Sequence, residues 1–243
     1  MPLLLMRSIL FVVTVGLFGL AGAGCVTKEP QYGHESTRVL PTKHRQVWAV
    51  APVINLSGEK GVDPFLQADL VFQQLQQVRG VTAIPVNRVA EVYASLRIER
   101  ISSAEQAALV CDLLKCDGLI VPTVTIFDTY NPPKLGCAMQ LFVKPVAFVR
   151  TPGIDPREMA MSAQPKAVDA MPAAGGDVVQ VVGMFDAANG TVRDRLHVYA
   201  AGRHDPVGPL GEKEYYVSMD RYCGFAYSEL IEQLIASPKL KGL

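Results

Sequence analysis

Apolar and polar positions along this 243-residue chain change period several times, and each change marks an element. "VWAVAPVIN" at 47–55 is a short, β-rich apolar run, and the turn cluster "NLSGEKG" closes it, so it reads as a strand. The period then becomes helical. Asp63 is placed to cap, Pro64 to start the helix, and Phe65, Ala68, Val71, Phe72, Leu75 and Val78 make one stripe before Gly80 stops it. "VTAIPV" at 81–86 is the next strand, and Val89, Val92, Tyr93 and Leu96 mark a second helix. Ser102 and Glu105 form a capping box for a third, whose inner face holds Ala104, Ala107, Ala108, Cys111 and Leu114.

The pattern next predicts a long hairpin: a strand over 117–130, a turn at Asn131, Pro132, Pro133 and Lys134, and a returning strand over 136–149. Pro122 and Pro145 mark places where these strands lie at an edge or bulge. Residues 150–177 break the pattern with Pro152, Pro156, Pro165, Pro172, Gly175 and Gly176, and carry Met159, Met161 and Met171. A loop of that length is either functional or without fixed structure. A strand over 178–186, an Asn-Gly turn at 187–190 and a partner strand over 191–202 predict a second hairpin. Cys223, Ala226, Tyr227, Leu230, Ile231 and Leu234 set the apolar face of a last helix over 218–236. The order β-α-β-α-α-β-β-loop-β-β-α predicts an α/β (α+β) fold, with a mixed sheet of about six strands and helices mainly on one face.

The start of the chain has a different pattern. Arg7 is followed by an almost wholly apolar stretch from Ser8 to Leu20, then the small residues Ala21 to Gly24, then Cys25. This is the order of a secretory signal. The uncharged stretch is also long enough to span a bilayer, so an uncleaved anchor and an ordinary signal peptide are the alternatives. Residues 26–46 are polar, contain Pro30, Gly33 and Pro41, and read as a flexible tether. The expected organisation is a signal peptide over 1–24, a tether over 25–46, one domain over 47–236 and a tail over 237–243.

Composition narrows the chemistry. Lys plus Arg is 23 and Asp plus Glu is 23, so no basic excess favours nucleic acid. Besides Cys25 there are Cys111, Cys116, Cys137 and Cys223; disulfides are allowed, but Cys111 and Cys223 fall on apolar helix faces where free thiols are ordinary. The Cys111-x4-Cys116 spacing has no second pair or histidines to complete a zinc site. His34 and His44 lie in the tether, His197 in the expected 191–202 strand and His204 in a loop, none spaced to share a metal. No phosphate loop, nucleophile elbow or metalloprotease motif is present. A pair of carboxylates needs no fixed spacing, so an envelope hydrolase remains an alternative. Asp63 and Asp69 read as cap and solvated face, and Asp117 as serving a turn. No metal or cofactor is expected.

Gly22-Ala23-Gly24-Cys25 resembles a bacterial lipobox, with Gly22 where that family prefers Leu. The resemblance implies that Cys25 carries a lipid and becomes the first residue after cleavage. Val26 in place of an Asp leans toward the outer membrane. "VWAVAPVINLSGEKG", "CDLLKCDGLIVPTVTIFD" and "VVGMFDAANGTVRDRLHVYAAG" are similar to the opening strand, helix–turn–strand and late hairpin of envelope domains typified by the amino-terminal domain of TolB. Related groups include curli-secretion lipoproteins, lipoprotein activators of penicillin-binding proteins and a flagellar outer-membrane lipoprotein group. The resemblance implies a non-enzymatic, lipid-anchored adaptor or assembly factor, facing the periplasm and docking an envelope protein. The contacts expected to do this are Asn131, Pro132, Pro133 and Lys134 at the hairpin tip, with Met159 and Met161 in the long loop. A homo-oligomeric secretion pore subunit, with the 117–149 hairpin in the bilayer, is the alternative.

Replacing Cys25 by Ser is expected to leave an unprocessed precursor that incorporates no labelled palmitate. Normal labelling of that variant would refute lipidation at Cys25.

Overall fold

The computed structural model describes residues 38–144, 178–205 and 207–242. The first apolar run makes two strands, not one: β1 (Gln46–Val50) and β2 (Ile54–Asn55), with Pro52 in the break. Helix α1 (Pro64–Leu75) follows, then β3 (Val81–Ile84), α2 (Val86–Leu96) and α3 (Ala104–Leu114). The long hairpin is β4 (Gly118–Asp128) and β5 (Lys134–Val143). After 145–177 come β6 (Val178–Asp186), α4 (Gly190–Ala200), α5 (Glu214–Val217) and α6 (Met219–Ile235).

Six strands form one mixed sheet in the order β3-β1-β4-β5-β6, with β2 also beside β4. β3, β1, β2 and β4 run parallel, and β4, β5 and β6 antiparallel. Successive side chains of a strand point to opposite faces. On β4, Ile120 and Val124 join the core under α1, α4 and α6, while Leu119 and Val121 join a second core under α2 and α3. The helices thus lie mainly on one face, and two cover part of the other. Beyond them no described helix covers the second face, and Val182 and Met184 of β6 are more than half exposed.

Asp63 caps α1 as its spacing predicts, accepting from the N–H groups of Phe65 and Leu66 at 2.8 and 3.2 Å. The inner face of α1 is rotated from the expected stripe. Gln67 and Gln74 are buried and Phe65 is half exposed. The cause is on α6 and α4: Tyr227 Oη donates to Gln67 Oε1 at 2.6 Å, and Tyr199 Oη donates to Gln74 Oε1 at 3.0 Å. A buried amide with a partner costs far less than one without. All six residues expected on the inner face of α6 are buried.

Three expectations are corrected. Residues 191–202 are not a strand, because the Asn189 side chain accepts from Thr191 N–H at 2.9 Å and starts a helix. Val192, Leu196, Tyr199 and Ala200 then fall on one buried helical face. The sheet keeps six strands because the first run splits. The cap of α3 is shifted by one residue: Ser103 accepts from Gln106 N–H at 3.3 Å, and Gln106 Oε1 accepts from Ser102 N–H at 2.9 Å. Finally, the expected tether is built into the domain from Arg38 onward. Leu40 is buried against Gly80, Val39 bridges to Arg79, and Arg38 donates to Ser228 Oγ on α6 at 2.5 Å.

Tyr227→Phe would strand Gln67 Oε1 in the core. A loss of about 1–2 kcal/mol in unfolding free energy is expected, read from urea denaturation midpoints at unchanged m. No measurable loss would show that this hydrogen bond does not hold α1 to α6.

Candidate functional site

β2 leaves the sheet early because its last residue organises a turn. Asn55 Oδ1 accepts from the N–H and the hydroxyl of Ser57 at 3.0 and 2.7 Å, and Asn55 Nδ2 donates to Glu59 O at 2.8 Å. Ser57 Oγ in turn accepts from Glu59 N–H at 3.2 Å. Gly58 takes a positive φ of 79°, which a side chain rarely tolerates. The "NLSG" turn is therefore a rigid wall, held by side chain to backbone bonds.

β4 continues past the point where β2 turns away. Its register with β5 shifts between Val124 and Ile126, a β-bulge that bends the strand end. An open groove of about 480 Å³ lies between the two. It is lined by Ser57, Glu59 and Gly61 on one side and by residues 125–130 of β4 and its turn on the other. Glu59 and Asp128 are its charged residues, and Tyr130 at its end is 82% exposed. One Asp128 oxygen accepts from Tyr130 N–H at 3.0 Å.

The expected hairpin tip adjoins this groove. Asn131 and Pro132 are exposed and joined by a cis peptide bond. Pro133 is buried and its carbonyl accepts from Ala187 N–H at 3.0 Å. Lys134 is half-buried, 3.2 Å from Asp186. Two of the four tip residues are thus committed to the fold. Cys25, Met159 and Met161 lie outside the described residues.

Asp117, His197 and His204 have structural partners. Asp117 accepts from Val47 N–H at 2.8 Å and locks β1 against β4. His197 meets Glu212 at 2.6 Å on the surface, and His204 reaches the Ala200 carbonyl at 2.9 Å. Among the described residues no group of three or more His, Cys, Asp or Glu is placed to hold a metal. The four described cysteines are buried free thiols. Cys111 lies in the last turn of α3 and Cys116 follows its left-handed cap residue Lys115, with Cys116 N–H bonded to Cys111 O at 3.0 Å. The thiol contact between them pushes Cys111 up and Cys116 down, while burial pushes Cys137 up to about 12.

No protein-family model and no curated protein matches the chain. Among solved structures it is similar to the C-terminal domain of LpoB from Salmonella enterica. Identity is 10%, with 60% of this chain and 85% of that one covered and a TM-score of 0.39. Lipoprotein GNA1162 from Neisseria meningitidis gives 12%, 63%, 93% and 0.40 for the same quantities. A PelC dodecamer from Paraburkholderia phytofirmans gives 10%, 80%, 89% and 0.36. At that distance the likenesses say nothing about a substrate or partner of this chain.

Asn55→Ala removes three hydrogen bonds from the groove wall. Hydrogen exchange is expected to speed at Ser57 and Glu59 amides by about tenfold, with the helices unchanged. Unchanged exchange at 57–59 would show that Asn55 does not hold the turn.

Proposed function

We propose that this protein is a non-enzymatic lipoprotein, anchored through Cys25 to the outer membrane and facing the periplasm, that serves a cell-envelope machine as an adaptor or assembly factor. The observation that carries the reading is the groove beside the hairpin tip. It is a concave surface at a sheet edge: no histidine lines it, the Ser57 hydroxyl is spent on Asn55, and of its two carboxylates, Glu59 and Asp128, the second already accepts from Tyr130 N–H. Such a site suits binding better than catalysis. The lipobox-like Gly22-Ala23-Gly24-Cys25 supplies the anchor and the compartment.

The pore reading draws less support. Leu135, Cys137, Met139 and Leu141 of β5 are buried in the domain core, and placing the hairpin in a bilayer would expose them.

The test is photo-crosslinking in cells, with the crosslinking residue at position 131 beside the groove or at exposed position 198 on α4. Capture of one defined envelope protein from 131 and not from 198 is expected. Capture only of the protein itself in large assemblies, or the same products from both positions, would overturn the adaptor reading.

A further inference from the structure

The backbone around the groove defines what fits it. β2 pairs with β4 only through Ile54 with Thr123 and Asn55 with Val124, and the last bond on that side is Leu56 N–H to Val124 O at 2.8 Å. β4 runs on to Asp128, paired with β5 as far as Lys134. Among the described residues no strand lies on the other side of that stretch. The bulge changes which backbone groups point outward. Before it Ile120 and Val124 offer their carbonyls toward β1 and β2. After it the register moves by one residue, so Phe127 turns its N–H and C=O toward the groove.

We propose that the groove takes an extended peptide bearing lysine or arginine, which adds to the sheet beside β4 where β2 has left it. The proposal rests on the adaptor reading and names the chemistry of the docked segment. The free stretch 125–128 accommodates about four residues, at about 3.3 Å each. Main-chain bonds to Phe127 give the strand its register, as in other cases of strand addition. Charge selects the sequence. Glu59 and Asp128 stand on opposite walls, and both are acidic. The lysine across the ladder from Asp128, Lys134, is held by Asp186 at 3.2 Å. A cationic side chain between the walls meets two carboxylates, and an acidic one is repelled. Ile126, Phe127 and Tyr130 supply the apolar and aromatic surface for the neighbouring positions.

The test uses the full chain in detergent and a fluorescein-labelled peptide, Thr-Arg-Val-Arg-Thr, followed by anisotropy. Two control peptides carry Glu in place of both Arg residues, or N-methyl groups on alternate backbone amides. Saturable binding is expected for the basic peptide below about 1 mM. Binding is expected to weaken about tenfold on backbone methylation and to vanish for the acidic peptide. Glu59→Gln with Asp128→Asn is expected to weaken the basic peptide about fivefold to tenfold while its circular dichroism stays unchanged. No binding of the basic peptide, equal binding of the methylated one, or equal binding by the folded double variant would overturn the proposal. Crosslinking from position 131 that persists in the double variant would leave the adaptor reading standing and the groove excluded.

Discussion

An interior strand must satisfy its backbone on both sides, and Pro122 of β4 has no N–H to give. Its neighbours two residues away face β1 and β2: Ile120 O accepts from Ala51 N–H and Val124 O from Leu56 N–H, both at 2.8 Å. Pro122 faces the same side between them and offers no proton. The ladder opens where the chain opposite also breaks, between β1 and β2. Val53 turns its N–H away to Pro64 O at 3.0 Å. A missing donor in the sheet is thus matched by a break in the chain opposite. Beyond the gap come a two-residue β2, a turn fixed by Asn55 and, among the described residues, a strand end with one free edge.

The opposite side of the domain is held by polar pairs inside an apolar core. Gln67 and Gln74 of α1 receive the hydroxyls of Tyr227 and Tyr199. Arg38 adds a third tie, the second to α6, through Ser228 at 2.5 Å and Glu232 at 3.7 Å. Apolar packing alone lets helices slide by a turn at small cost, whereas a hydroxyl aimed at one amide oxygen fixes their register. The rings of Phe185, Phe225 and Tyr199 pack edge to face around these ties.

Periodicity reads elements well where one face is apolar and the other polar. α6 shows its six inner residues in the sequence, and Asp63 announces the start of α1. It misleads where a local signal has two meanings. "AANG" at 187–190 suits a hairpin turn, but Asn189 also caps helices, and the apolar positions at 192, 196, 199 and 200 decide for the helix. Buried glutamines are invisible until their tyrosines are placed 125 and 160 residues away. The groove was half legible. The turn at 55–58 is written in its residues, and Pro122 signals irregularity, but the bulge and the early exit of β2 depend on pairing across the sheet.

The strap at Arg38 to Leu40 turns a question of anchoring into one of length. Its bonds to α6 and its bridge to Arg79 fasten the chain to the domain twelve residues beyond Val26, counted to Arg38. A lipid on Cys25 would stand thirteen peptide steps from Arg38. Fully extended, that is about 45 Å, and a relaxed chain spans less. With a lipid there, the domain would work on a short leash. So anchored, it would sweep a shallow layer above the membrane, and a partner rooted farther away would have to send a segment down to meet it.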